Sequence, residues 1–229
     1  KYMPELGGNA TFVVMNDCDI ELATNLALAS FENSGQRCTA IRRVLLHKEI
    51  YDTFIDNFVE KTKSLKVGNP MDPETDIGTV ISGEQVDVIQ QRISDAKDEG
   101  AKVVFGNRRN GAQLEPTIIK DVNIDSELVK QETFGPIASI IKIENLDEAI
   151  NYIGKDNFGL ASAIVTSDKE NATKLYNKIC VGQFSWNGPP GYRTEVAPFG
   201  GFGISGNGEK EGIVMMTKAL QRIRTFYEH

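Results

Sequence analysis

The sequence predicts an α/β sandwich on a largely parallel sheet. Short apolar, β-branched runs alternate along the chain with longer segments of helical period, the pattern of repeated βα units. Turn-forming glycines, prolines and aspartates fall between those segments. No repeat, low-complexity stretch or linker breaks the alternation, so the 229 residues read as one domain.

In order, residues 11–15 (Thr-Phe-Val-Val-Met) read as a short buried strand. Asp17 and Asp19 can cap a helix over 20–33, with Leu22, Leu26 and Ala29 on one face and Gly35 as its stop. Residues 44–47 form a second strand, and 50–65 a helix with Phe54, Phe58 and Val59 inward. A Pro/Gly/Asp-rich loop over 68–78 leads to a helix over 84–99, stopped at Gly100. Strands follow at 103–105, 117–122, 138–143, 160–166 and 182–186. Helices over 146–153 and 169–179 separate the last three. A glycine- and proline-rich loop runs from 187 to 208, then a helix over 209–220 and a last strand over 221–227.

Composition removes several functions. The net charge of -7 and the shortness of the basic runs, Arg42-Arg43 and Arg108-Arg109, speak against a nucleic-acid partner. Cys18, Cys38 and Cys180 lack CxxC spacing. They predict no disulfide framework, and hence a reducing compartment, the cytoplasm. No apolar run approaches the roughly 18 residues of a membrane span, and no signal peptide is visible. The chain opens Lys-Tyr-Met-Pro-Glu-Leu-Gly-Gly, with functional-looking sequence almost at once, which predicts a piece of a longer protein.

Two segments carry chemistry. In Ser34-Gly35-Gln36-Arg37-Cys38-Thr39, a cysteine sits in a glycine-containing turn between a helix and a strand. Backbone N–H groups of such a turn can favour a thiolate or bind a developing oxyanion, and Arg37 adds positive potential. In Pro4-Glu5-Leu6-Gly7-Gly8, a carboxylate precedes two glycines that allow tight backbone passage into a strand. In a cleft, with a raised pKa, Glu5 can serve as a general base. Each alone has a plainer reading, a buried cysteine or an exposed turn glutamate, and Cys18 and Cys180 read as buried structural cysteines.

Together, in this order, the two segments resemble the paired active-site signatures of the aldehyde dehydrogenase superfamily. Further blocks follow in the family's order: Glu132-Thr133-Phe134-Gly135-Pro136, Gly159-Leu160-Ala161-Ser162-Ala163, and Pro198-Phe199-Gly200-Gly201 with Ser205-Gly206. The resemblance implies a three-layer α/β/α catalytic domain over 1–229, with the cofactor-binding half and an oxyanion-hole asparagine upstream, and an isolated chain without turnover. It implies Cys38 as nucleophile, forming a thiohemiacetal and then a thioester, and Glu5 as the base that activates water. It implies Glu132 on the nicotinamide ribose of NAD or NADP, and Phe134 beside it. Residues 221–229 resemble an oligomerisation strand, which implies a homodimer or homotetramer. Ala10-Thr11 and Thr133 depart from the family's usual proline and branched apolar residue.

Arg37 beside the nucleophile, and Pro190-Gly191-Tyr192-Arg193 in the entrance loop, resemble members acting on phosphate- or phosphonate-bearing aldehydes, the non-phosphorylating glyceraldehyde-3-phosphate and phosphonoacetaldehyde enzymes. Arg37 and Arg193 are the expected anion clamp, since planar guanidinium groups suit tetrahedral oxyanions; the plainer reading is structural, with Arg37 paired to a carboxylate and Arg193 exposed. The alternatives are a semialdehyde dehydrogenase with a carboxylate-bearing or neutral substrate, and a Cys/Glu thioester hydrolase without redox chemistry. The Gly201–Gly206 match to G-x-G-x-x-G lacks the strand–helix context of a dinucleotide fingerprint and reads as a flexible loop near the substrate mouth. His47 reads as a surface or capping ring, and no Cys/His set has zinc spacing.

Overall fold

The computed structural model describes residues 2–229. Its elements are β1 (Ala10–Val14), α1 (Ile20–Ala27), β2 (Ile41–His47), α2 (Tyr51–Lys63), α3 (Gly83–Asp98), β3 (Lys102–Phe105), β4 (Arg109–Asn110), β5 (Gln113–Leu114), β6 (Thr117–Lys120), α4 (Glu127–Lys130), β7 (Ile137–Ile143), α5 (Leu146–Gly154), β8 (Phe158–Gly159), β9 (Ala161–Val165), α6 (Lys169–Lys178), β10 (Gln183–Trp186), β11 (Phe202–Gly203) and α7 (Ile213–Leu220). Seven strands form one sheet in the order β10-β9-β1-β2-β7-β6-β3. All neighbours in it are parallel except the edge pair β3–β6.

The side-chain period of two splits the core. Phe12, Val14, Val44, Leu46 and Ile140 face α1 and α2 with Phe54, Ile55 and Phe58. Val13, Leu45 and Ile141 face the other way, against Ile89 and Ile93 of α3, Ala149 and Ile153 of α5, and Leu175 of α6. Helices therefore cover both faces, which gives three layers. β1, β2 and β9 are buried along their whole length, as a parallel sheet between two helical layers requires. Phe31 stacks on Phe58 at 5.6 Å under the first face.

Several boundaries differ from expectation. The helix expected over 20–33 ends at Ala27 and continues as two 3-10 turns, because Asn33 and Ser34 take left-handed backbone angles. β2 opens at Ile41 rather than at residue 44; Arg42 and Arg43, polar by sequence, are buried strand residues. The helix expected from residue 209 opens at Ile213. Glu211 is held instead in a two-way backbone bridge to Phe199, at 2.9 and 2.7 Å. The strand expected over 221–227 is not formed: the segment is exposed, with no strand partner among the described residues. Among those residues no helix is long and apolar enough to cross a membrane. The three cysteines are free.

Arg43 is an unusual core residue. Its guanidinium pairs with Asp156 at 2.5 Å and donates to the Asn9 carbonyl at 2.5 Å, with both side chains almost fully buried. Burial pushes the Arg43 pKa down, and the Asp156 charge works against that shift. Replacing Asp156 by alanine strands a buried cation, so Asp156→Ala is expected to cost about 3–5 kcal/mol in urea unfolding. An unchanged unfolding midpoint would show that the pair carries no net stability.

Candidate active site

The six parallel strands start at one edge of the sheet. The segments that lead into β1, β2, β7 and β9 therefore collect there: Glu5 to Gly8, Arg37 to Cys38, Glu132 to Pro136, and Gly159 with Leu160. Open α/β sheets usually bind ligands at the carboxyl ends of their strands. Here the chemistry-bearing residues sit at the amino ends.

Close backbone approach holds these segments together. A Cβ on Gly8 would lie 2.4 Å from the Cys38 carbonyl oxygen, so only glycine lets the Glu5 segment rest on the cysteine turn. Leu6 N–H donates to the Ser205 carbonyl at 3.2 Å and fixes the other side of Glu5. Gly35, at φ +67°, abuts the neighbouring loop so tightly that a Cβ would fall 1.9 Å from the Gly135 carbonyl oxygen. Asn33, Ser34 and Gly35 form three successive left-handed residues just before Cys38. Such strain persists only where surrounding contacts over-determine it, and it concentrates at functional sites.

Cys38 is half-buried and packs with Phe199 against Ala10, Leu160 and Ala161. Burial pushes its thiol pKa up; the Glu5 and Glu132 carboxylates push it further, while its own backbone N–H and Arg37 pull it down. The turn thus presents an N–H to the sulfur, as its sequence suggests, and the resting group is a thiol. Glu5 is itself raised, first by desolvation and then by Glu211, against the pull of Lys210 and Arg193.

Glu132 is the bridge between segments. Its Oε1 accepts from Gly8 N–H at 2.9 Å, and Asn9 Nδ2 donates to the Val129 carbonyl at 2.7 Å just before it. Glu132 Oε2 has no hydrogen-bond partner among the described residues, and Phe134, two positions on, is half-exposed. A free carboxylate oxygen for a ribose hydroxyl, with an aromatic residue in the same loop, is a donor set that fits a nicotinamide nucleoside. Thr133, a departure from the family pattern, is buried with its hydroxyl accepting from Arg92 Nη1 at 3.0 Å; the same nitrogen donates to the Glu132 carbonyl at 2.9 Å.

Arg37 and Arg193 converge on one loop, but each already has a carboxylate. Arg37 pairs with Glu32 at 2.7 Å and lies against Gly191, whose Cβ would meet Arg37 Nη2 at 3.1 Å. Arg193 pairs with Glu211 at 2.8 Å and lies over the Phe199 ring at 4.6 Å.

Residues 1–225 match the Aldehyde dehydrogenase family profile. The chain belongs to the aldehyde dehydrogenase family. It is 38% identical over 226 residues to sulfoacetaldehyde dehydrogenase of Neptuniibacter caesariensis, covering 98% of this chain and 49% of that protein. It is 39% identical over 209 residues to 3-sulfolactaldehyde dehydrogenase of Priestia megaterium, covering 91% and 44%. It superposes on the glyceraldehyde-3-phosphate dehydrogenase GapN of Methanocaldococcus jannaschii, solved with NADP, at TM-score 0.88 and 37% identity, covering 92% of this chain and 46% of that one. The chain spans about half the length of the curated relatives it matches.

In this aldehyde dehydrogenase chain two sequence readings change, those of Cys180 and the glycine run. Cys180, expected buried, is exposed. His47 caps, as expected, by accepting from Glu49 N–H at 3.3 Å, yet its ring is buried rather than at the surface. It ends β2, at the far end of that strand from Cys38. The glycine run over 201–206 is ordered rather than flexible. β11 pairs with β8, and buried Ser205 accepts from Gly159 N–H at 3.2 Å. Lys210, Glu211 and Arg42 escaped sequence reasoning; each lies near Glu5 or Cys38.

The electrostatics give a direct test. Glu5→Gln removes an anion beside the thiol, so the pH midpoint of Cys38 alkylation by iodoacetamide is expected to fall and the rate at neutral pH to rise severalfold, even as turnover is lost. A midpoint that stays or rises would mean Glu5 does not face the sulfur.

Proposed function

We propose that the intact protein oxidises a small anionic aldehyde to its carboxylic acid with NAD or NADP. The observation that carries this reading is the meeting, at one sheet edge, of a turn-borne cysteine, a glutamate whose segment rests through Gly8 on the cysteine's carbonyl, and the Glu132 carboxylate with one oxygen bound to Gly8 N–H and one free. Cys38 loses its proton to solvent water and its sulfur adds to the aldehyde carbon, with the Cys38 N–H donating to the oxygen that becomes negative. A nicotinamide cofactor would be held by Glu132 and Phe134 and would accept the hydride that the aldehyde carbon gives up. The carbon leaves this stage as a thioester on Cys38. Glu5, its pKa raised by burial, takes a proton from water, and the resulting hydroxide displaces the sulfur as thiolate.

The anion is supported by Arg37 and Arg193. Their partners are half-exposed or exposed, and ion pairs of that kind are worth about 0–1 kcal/mol. A substrate anion can displace Glu32 and Glu211 at little cost. Tetrahedral sulfonate, phosphate and phosphonate groups all suit the two guanidinium forks. The family relatives named for sulfonated and phosphorylated aldehydes favour the first two. The apolar tail, with Ile223, Phe226 and Tyr227 exposed, supports a homodimer or homotetramer. Three free thiols suit a reducing compartment such as the cytoplasm.

The test follows NAD(P)H formation by the intact enzyme with sulfoacetaldehyde, glyceraldehyde 3-phosphate, phosphonoacetaldehyde, succinate semialdehyde and propanal. An anionic tetrahedral substrate should lead in kcat/KM. Arg37→Ala should cut that lead about tenfold, ~1.4 kcal/mol, while sparing propanal. A lead by propanal or by the semialdehyde, untouched by Arg37→Ala and Arg193→Ala, would remove the clamp. Ester or thioester hydrolysis without any cofactor-dependent oxidation would replace the dehydrogenase by a hydrolase.

A further inference from the structure

Arg42 looks like a strand residue and behaves like a rivet. It is 2% exposed, one residue before the Arg43–Asp156 pair but on the opposite face of β2. Its Nη1 donates to the Gly135 carbonyl at 2.9 Å. Its Nη2 donates to the Gly35 carbonyl, and to the Arg37 carbonyl at 3.2 Å. The guanidinium carbon also lies 5.4 Å from the centre of the Phe134 ring. One side chain thus grips both ends of the turn that carries Cys38 and the loop that carries Glu132 and Phe134. The two segments also approach each other through the bare backbone of Gly35 against the Gly135 carbonyl, a contact that offers no side chain to interlock.

The residue type fits the task. A planar fork with five donors can serve three carbonyl oxygens in fixed directions and still stack on an aromatic face; an ammonium cannot. Burying a guanidinium is costly unless its surroundings compensate. Burial pulls the Arg42 pKa down to about 10, and the neighbouring Glu132 and Cys38 push against that fall.

We propose that Arg42 is a positioning residue: its guanidinium fork fastens the Cys38 turn to the 132–135 loop, so that the nucleophile and the cofactor-facing carboxylate keep one relative placement. The carboxylates of Glu5 and Glu132 and the guanidinium of Arg37 act on the thiol electrostatically, and the Cys38 charge in turn acts on Arg42. The proposal rests on the dehydrogenase reading only for what the 132–135 loop holds.

The experiment compares the intact wild-type enzyme with Arg42→Met and Arg42→Lys. Three quantities are read: the pH profile of Cys38 alkylation, kcat with KM for the nicotinamide cofactor, and the melting temperature. In Arg42→Met, alkylation should slow at neutral pH and its midpoint move up, because a cation has left the thiolate. The cofactor KM should rise as kcat falls about ten- to a hundredfold, the scale of a misplacement near 1 Å. Arg42→Lys should return the alkylation midpoint towards wild type but leave the cofactor KM raised. A folded Arg42→Met enzyme with a wild-type alkylation profile and cofactor KM, whatever its melting temperature, overturns the proposal. If Arg42→Met does not fold, a wild-type cofactor KM in Arg42→Lys does the same. Absence of turnover with every aldehyde sinks the dehydrogenase reading instead, and the alkylation profile still judges Arg42.

Discussion

The site depends on backbone touching backbone where side chains are absent. Gly8 lies on the Cys38 carbonyl, and Gly35 lies on the Gly135 carbonyl, each at a distance that leaves no room for a Cβ. These contacts bring the segments entering β1, β2 and β7 into one layer along the starting edge of the sheet. The sheet supplies the rest. Parallel strands, buried on both faces, cannot slip in register without exposing their apolar rows, so the three segments inherit a fixed spacing. Interiors packed at this density transmit displacement rather than absorb it. Small changes at Gly8 or Gly35 are therefore felt at the sulfur.

That closeness has an electrostatic consequence. Two carboxylates beside a half-buried thiol oppose its ionisation, and burial opposes it further. A nucleophile held as a thiol is protected from adventitious oxidation, which acts on thiolates. In the function proposed above the same carboxylates have work in the cycle: Glu5 as the acceptor of a proton from water, and Glu132 as the acceptor of a ribose hydroxyl. Cations arranged around them, Arg37, Arg42, Arg193 and Lys210, keep the cluster from becoming a net trap of negative charge.

Much of the architecture was legible because apolar periodicity and turn residues agree with each other. The helix over α3 and the strand at β9 are examples: Val86, Ile89 and Ile93 repeat at helical spacing, and residues 161–165 form an unbroken run of small and branched residues. The reading failed where a tertiary contact overrode local pattern. Residues 28–35 have helical composition, but the demand that Gly35 meet Gly135 winds them into 3-10 turns and a left-handed stretch. Residues 209–212 are charged and helix-compatible, yet the bridge from Glu211 to Phe199 holds them extended. At the proposed site, Cys38, Glu5 and Glu132 drew attention through motifs with glycine neighbours. Arg42 did not: nothing in the sequence distinguishes a buried guanidinium that rivets two loops from one that pairs with an aspartate, as Arg43 does. That Arg37 pairs with a carboxylate was one of the two readings its sequence allowed; that the partner is Glu32, five positions earlier on a broken helix, was not visible.

The central claim is that Cys38 carries the oxidised substrate and Glu5 releases it. The most direct measurement is the intact mass of the Glu5→Gln enzyme, quenched in acid after mixing with aldehyde and NAD(P), followed by peptide mapping. The account predicts an acyl group, two hydrogens lighter than the aldehyde adduct, accumulating on Cys38 alone, together with one burst equivalent of NAD(P)H. An unmodified Cys38 alongside that burst, or an acyl group on Cys18 or Cys180, would contradict it.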